Sequence, residues 1–519
     1  MAKPAASTQP RARNEKSPKR PTRVPERGRR FLGRPNRIAL AALAVIGMLF
    51  ALWQIVHVRN TTYGAWANWS SYDEGVYLVS ARALDTGQVM FQQVFSSQPP
   101  LFLGLLALTL KIAGGSAGAG HVYTLCCALM ALAGVAWIGW EIGGRRPAVL
   151  GAALLALSPG FVIAARAIEA EAPMLGFGSL AVAASVRYAR LAERRWMIMA
   201  ALLLSAATLS KLLAVGDAAP IALALLLAPP PEPRSAWLRR IVTDAVLALA
   251  AFAGPIAALF LLLHPAEQYD QVIRFHLKAS EVNFTAGGNA HLFQVFLGWD
   301  PGLVAMAVAG VAAAALGKRV FAILPLVWLV TTAGSMVNYQ PLFIHHLTVL
   351  LAPFAALAGL AAVVPKTTHA LSPRRIGYAA VVAVGGAVYL VWLPVAIGHD
   401  RNAFVADHNP VTAAEAGWLA AQSGPNDLVV ADDQELAVAA NRLVPSALTD
   451  TSIVRYNSGY LALPVVIGAT DNPRVKAILL TRKLHAYASY VAWVRTHFQE
   501  VSPPPVPGAL AFIARDPHH

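Results

Sequence analysis

IALAALAVIGMLFALWQIVHV, residues Ile38–Val58, is a run of 21 residues without Lys, Arg, Asp or Glu. About 20 apolar residues in a helix cross the hydrocarbon core of a bilayer, so the run reads as a membrane helix. The tail before it, residues 1–37, holds 12 Lys/Arg and 2 Asp/Glu and is rich in Pro. It is long for a signal peptide, and no Ala-x-Ala-like site follows the run, so a retained first helix is expected. Over all 519 residues, 56% are hydrophobic and 13% charged. Soluble domains are about 25% charged, and the deficit excludes an ordinary cytosolic enzyme. The net charge of +15 would otherwise raise nucleic acid as a partner. Because +10 of it sits in the disordered-looking tail, it reads as a cytoplasmic anchor flank, and no nucleic acid is expected. The two cysteines, Cys126 and Cys127, are adjacent within an apolar run, which fits neither a disulfide framework nor a zinc spacing.

Ten further apolar runs follow, at 120–141, 148–165, 173–189, 196–210, 217–229, 241–263, 300–316, 320–337, 347–364 and 376–397, giving about eleven transmembrane helices over residues 38–397. Segment 99–113 is also apolar but short. If it lies along the outer surface, the inner loops hold 14 Lys/Arg and 3 Asp/Glu, while the outer segments between 59 and 300 hold 7 and 10. That asymmetry is the positive-inside pattern. It predicts a multi-pass plasma-membrane (inner-membrane) protein with a cytoplasmic N-terminus, outer loops 59–119 and 264–299, and residues 398–519 outside. The latter hold 9 Lys/Arg and 11 Asp/Glu and no spanning run. Asn409-Pro410 opens a helical pattern that stops at Gly424. Residues 427–431, 475–481 and 509–514 read as strands and 482–498 as a helix, so a small extracytoplasmic α/β domain is expected.

The first outer loop carries the strongest chemical signal, WSSYDEGVYLVSARALDTGQVMFQQVFSSQPPL at Trp69–Leu101. Asp73 and Glu74 start a helical pattern. Ser71-x-x-Glu74 matches a capping box, a structural role that accounts for Glu74 but not for Asp73. A carboxylate in a first helical turn is kept ionised by the helix dipole, and Tyr77 stands one turn on.

Asp73-Glu74-Gly75-Val76-Tyr77 followed by Gln98-Pro99-Pro100-Leu101 resembles the opening pattern of the GT-C membrane glycosyltransferases, nearest the protein O-mannosyltransferase and aminoarabinose transferase branch. The resemblance continues through Ser158-Pro159, through Arg166-Ala-Ile-Glu169-Ala-Glu171-Ala-Pro173 and through Leu209-Ser210-Lys211, over most of residues 38–360. It departs from the aminoarabinose branch at Ser97 and Gln98, where that branch often has Glu and usually Lys, and at Val76, where a basic residue is common. These departures bear on any phosphate contact or metal ligand there, and suggest a cousin with a different donor or acceptor. The resemblance implies transfer of a sugar, with inversion, from a polyprenyl-phosphate donor to a hydroxyl of a lipid, glycan or protein acceptor at the outer membrane face.

Such a reaction needs a base at the acceptor oxygen, positive charge at the leaving phosphate and a lipid-facing slot. Asp73 is the candidate base, with Glu74 and Glu171 as further candidate catalytic residues. Tyr77, Gln98, Arg166, Lys211, Arg274, His276, His345 and His346 are candidate substrate contacts. Converging carboxylates would be relieved by a divalent cation on Asp73 and Glu171; oxygen ligands suit Mg or Mn, and adding His suits Zn. Trp66, Trp69 and Tyr72 fit sugar stacking and an aromatic belt equally well. Asp244, four residues after Arg240, reads as a salt bridge near the interface. The competing function is a transporter or flippase of polyprenyl-linked glycans. That class shows inverted repeats or broken helices at mid-membrane, whereas the polar residues here gather at one face.

Overall fold

A computed structural model describes residues 37–60, 71–230, 236–282, 288–365, 372–405, 410–481 and 483–515. The basic tail up to residue 36, Trp66 and Trp69 lie outside these residues. Helix α1 spans Arg37–Asn60, α2 Ser71–Asp85, α3 Pro100–Ile112, α4 Ala117–Gly143, α5 Arg145–Ala156, α6 Pro159–Ala164, α7 Glu171–Leu191 and α8 Arg194–Ser210. Then come α9 Ala218–Leu227, α10 Ala236–Leu262, α11 Pro265–Tyr269, α12 Phe275–Ala279, α13 Gly288–Trp299, α14 Pro301–Leu316, α15 Ile323–Val337, α16 Leu351–Gly359 and α17 Pro373–Val405.

Six helical segments among the described residues are long and apolar enough to cross a membrane: 37–56, 117–143, 236–262, 320–337, 344–362 and 373–398. The pair α13 and α14 adds a broken seventh, bent by 87°. The bend falls at Asp300-Pro301, where Asp300 Oδ1 accepts the Leu303 amide at 2.9 Å and caps α14. Of the other expected spans, 173–189 falls on the 21-residue α7, and 148–165, 196–210 and 217–229 fall on shorter helices. The run 148–165 is divided at Leu157-Ser158, because Pro159 starts a new helix rather than continuing α5. On α10 and α17, Leu261 is 71% exposed and Val391 78%. An apolar surface of this kind is a liability in water and is matched by lipid. The chain is a multi-pass membrane protein.

Small residues set the helix spacing inside the bundle. A Cβ on Gly134 of α4 would fall under 3.0 Å from Ser179 of α7, and one on Gly359 would collide with the Pro147 carbonyl of α5. Without a hydrophobic force between helices in lipid, such close backbone approach supplies the packing energy. Asp244 is buried in α10, but its partner is not Arg240. Arg194 Nε meets Asp244 Oδ1 at 2.6 Å and Tyr188 Oη donates to Oδ2 at 2.7 Å. Arg240 turns instead to the carbonyls of Ala228 and Pro229, which α9 leaves without helical partners.

After α17 come α18 (Pro410–Ala421), β1 (Leu428–Ala431), α19 (Gln434–Ala439), α20 (Ile453–Asn457), α21 (Leu463–Thr470), β2 (Val475–Leu480), α22 (Ala488–His497), β3 (Phe498–Glu500) and β4 (Leu510–Ala514). The sheet order is β1-β2-β4-β3, with β1 parallel to β2 and the other pairs antiparallel. Strand side chains alternate between faces. Leu428, Val430, Ile478, Leu480 and Phe512 join Tyr490 and Val494 of α22 on one side. Val429, Ala431, Ala477, Leu479 and Ala511 share a core with Leu78 and Ala81 of α2 and with Phe102, Leu103 and Leu106 of α3 on the other. Helices α2 and α3 and the C-terminal α/β region therefore build one core. In place of one helix over 482–498, a 3-10 turn at Leu484–Ala486 precedes an α-helix that begins at Ala488; ahead of both, the buried Asp432 carboxylate takes the backbone N–H groups of Thr481 and Lys483.

Gly75 is the tightest point of this joint. A Cβ there would stand under 3.0 Å from backbone atoms of Gln434 and Glu435 at the start of α19. Backbone cannot rotate away as a side chain can, so Gly75→Ala is expected to destabilise the protein by about 1–3 kcal/mol, the usual range for overpacking. The midpoint of thermal unfolding in detergent measures it; an unchanged midpoint would mean that the joint is looser than described.

Candidate active site

A cavity of about 450 Å³ opens where α2, the residue after α8, the segment before α16 and two loops of the C-terminal region meet. Its walls carry Asp73 and Tyr77 from α2, Gln98 just before α3, Lys211 just after α8, His276 from α12 and His345 and His346 before α16. From the C-terminal region come Asp450 and Lys483.

The charged groups at and behind this wall sit where helices start or stop. Asp73 lies in the first turn of α2, Glu171 opens α7, and Lys211 follows the last residue of α8. Helix ends leave backbone groups without partners, so polar side chains are tolerated there and apolar runs end there. Glu171 and Lys211 are both buried, and Lys211 Nζ meets Glu171 Oε1 at 2.6 Å. His345 Nε2 stands 3.8 Å from that oxygen and 3.8 Å from Asp73 Oδ2; His346 Nε2 stands 3.9 Å from Glu171 Oε1. The Phe343 amide donates to His346 Nδ1 at 3.3 Å, which leaves Nε2 of the neutral ring as the N–H that faces Glu171.

Burial pushes the Asp73 carboxyl above its ordinary value, aided by Asp450 and Glu171 and opposed by His345 and Lys483. His276 is pushed down to about 4 by burial; its Nδ1 lies 2.8 Å from the Val272 carbonyl. Burial also lowers Lys483 to about 8, against the pull of Asp433, Asp450, Asp73 and Asp432.

Three sequence candidates stand elsewhere. The Glu74 carboxylate is 3.2 Å from His121 Nε2 and accepts the Ile168 amide at 3.4 Å, which ties α2 to α4 and to the turn before α7. Arg166 is buried behind that turn, with its Nε donating to Gln54 Oε1 at 2.6 Å. Arg274 is half exposed and pairs with Asp270 at 2.9 Å, a turn earlier on its own helix. Sequence reasoning overlooked Glu169, Asp450 and Lys483. Glu169 had a usable signal, its spacing two residues before Glu171; Asp450 and Lys483 lie in a segment where charge is ordinary.

Two groups have metal-ligand character, with donor atoms within 4.8 Å of one another: Glu171, His345 and His346, and Asp73, Glu169 and His345. In the first, the Lys211 ammonium already stands at the shared Glu171 oxygen. A divalent ion beside that ammonium would meet like charge, so the second group fits a cation better.

The structure superposes on ArnT from Cupriavidus metallidurans bound to undecaprenyl phosphate with a TM-score of 0.65 at 12% identity, covering 91% of this chain and 97% of that one. The chain has the GT-C fold. The apo state of the same ArnT gives a TM-score of 0.62 at 14% identity, covering 90% and 97%. An Archaeoglobus fulgidus oligosaccharyltransferase tethered to an acceptor peptide containing the NVT sequon gives 0.51 at 13% identity, covering 93% and 74%. Residues 97–257 match the family described as dolichyl-phosphate-mannose-protein mannosyltransferase. No curated protein matches the sequence. The matched stretch carries Gln98, Arg166, Glu169, Glu171 and Lys211, whereas Asp73, His345, His346 and Lys483 come from outside it.

Proposed function

We propose that this GT-C protein transfers a sugar from a polyprenyl-phosphate donor to an acceptor hydroxyl at the outer membrane face, with inversion and with Asp73 as general base. The observation that carries the reading is that the wall of one cavity holds the Asp73 carboxylate together with the Lys211 and Lys483 ammonium groups. A base at the acceptor and positive charge at the departing phosphate are what inverting transfer requires. A second feature supports a lipid donor. A groove of about 870 Å³, lined by Ala290, Phe293, Leu297 and Val337, adjoins the cavity along the segment 338–341. Its apolar wall suits a polyprenyl tail, and undecaprenyl phosphate is the ligand of the superposed ArnT.

In this reading Glu171 keeps Lys211 in place and charged, and His345 and His346 hold Glu171 and Asp73 apart. Tyr77 and Gln98 face the sugar. Glu74 and Arg166 position α2 and the turn before α7 without touching substrate, and Arg274 lies beyond the cavity. A divalent cation would be held by Asp73, Glu169 and His345, and when bound would neutralise the carboxylates and attract donor phosphate oxygens.

The test is direct. The purified full chain in nanodiscs is incubated with undecaprenyl-phosphate sugars and cell-envelope acceptors, and released undecaprenyl phosphate is measured by mass spectrometry. Release that depends on acceptor supports transfer; lipid-linked sugar that moves across the bilayer intact would favour a flippase. If a cation is bound as described, EDTA lowers the rate by tenfold or more, Mg, Mn or Zn restores it, and Glu169→Gln raises the metal concentration needed. An EDTA-treated protein of full activity removes the cation from the reading.

A further inference from the structure

Parallel strands place ligands at their carboxyl ends, and β1 and β2 both end at the cavity. Ala431 leads into Asp432, and Leu480 leads into Thr481 and Lys483. Asp432 is fully buried. Its Oδ1 accepts the Thr481 amide at 2.9 Å and the Thr481 hydroxyl at 3.1 Å, and its Oδ2 accepts the Lys483 amide at 2.7 Å. Two residues on, Gln434 Nε2 donates to the Leu448 carbonyl at 2.6 Å and to Thr451 Oγ1 at 3.3 Å, beside Asp450. One short strand end thus fixes both loops that the C-terminal region lends to the cavity.

The two cavity lysines differ in what they face. Lys211 is neutralised by Glu171 at 2.6 Å. The Lys483 ammonium forms no ion pair among the described residues and stands over the face of the Tyr72 ring. Tyr72 itself is drawn away, its hydroxyl donating to Asp450 Oδ1 at 3.2 Å. Asp73, Asp432, Asp433 and Asp450 draw on this ammonium from a distance without pairing with it, so on the ring face at the cavity wall it can still take an anion.

We infer that Lys483 binds the donor's phosphate and that Asp432 is the residue that positions it. The inference rests on the polyprenyl-phosphate reading above and adds a phosphate contact from outside the membrane bundle.

The probe is undecaprenyl phosphate, with undecaprenol as its uncharged counterpart, titrated into the purified full chain in detergent. Lys483→Met is expected to weaken undecaprenyl phosphate binding about tenfold or more, as loss of a charge-assisted hydrogen bond does, and to leave undecaprenol binding unchanged. Lys483→Arg stays within about threefold of the native chain. Native binding weakens as the pH rises through about 8, where Lys483 loses its proton in the field of Tyr72, Asp73, Asp432, Asp433 and Asp450. Lys483→Arg binding does not weaken there. Asp432→Asn behaves like Lys483→Met, and the double variant is no worse than either; a merely structural Asp432 would give additive losses. Native affinity in Lys483→Met, or equal loss in Lys483→Arg, overturns the inference and leaves the transferase reading standing. A native chain that binds neither lipid overturns both.

Discussion

Asp73→Asn is expected to cut sugar transfer by about 10²–10⁴-fold, the range contributed by a positioned general base, with undecaprenyl phosphate binding kept. Asn has the same shape and cannot accept the acceptor's proton. The pH profile carries a second signature. Asp73 acts only when ionised, and burial raises its carboxyl above the ordinary range, with Asp450 and Glu171 adding to the effect. Activity should therefore fall, as the medium is acidified, at a pH above that of an ordinary carboxylate. Residual activity in Asp73→Asn should lack that limb. Native turnover in the variant would remove Asp73 as the base, and a profile unchanged in shape would place the titrating group elsewhere.

Separating Glu171 from Lys211 should have the largest effect on stability. Both side chains are buried, and their oxygen and nitrogen lie 2.6 Å apart. Breaking a buried pair by removing one partner costs about 3–5 kcal/mol, because a lone charge stays buried. Glu171→Gln and Lys211→Met are each expected to lower the thermal midpoint strongly. The double variant, with no lone charge left, should recover much of the loss. Transfer should stay absent in all three, since the cavity loses a cation or its holder. Single variants as stable as the native chain would mean that the pair is solvated.

Much of this arrangement was legible in the sequence where a local signal broke an apolar pattern. Asp73, Glu171, Lys211, His345 and His346 are polar residues at the ends of apolar runs or at the start of a helix; the structure puts four of them on one cavity wall and Glu171 against Lys211. Arg166 carries the same signal yet turns to Gln54 on α1, because an end-of-run position fixes depth but not direction. Arg274 and Glu74 show the same limit, each satisfied by a close neighbour. Lys483 and Asp450 gave no signal at all. Their place depends on parallel pairing of β1 with β2, a contact between residues some 47 apart, as in Leu428 with Val475. The late start of α22 has the same origin: propensity is local, and the carboxylate that takes the Thr481 and Lys483 amides comes from the end of the other strand.

The core that α2 and α3 share with the sheet has a consequence for modularity. The segment from residue 71 to 112 and the region from 410 onward cannot be inherited or transplanted separately. A chimaera that takes its C-terminal region from a relative would set foreign backbone against Gly75 and foreign side chains against Leu103 and Leu106. Only a graft that carries both pieces together would keep the cavity closed, so substrate preference in this architecture should travel as a discontinuous cassette.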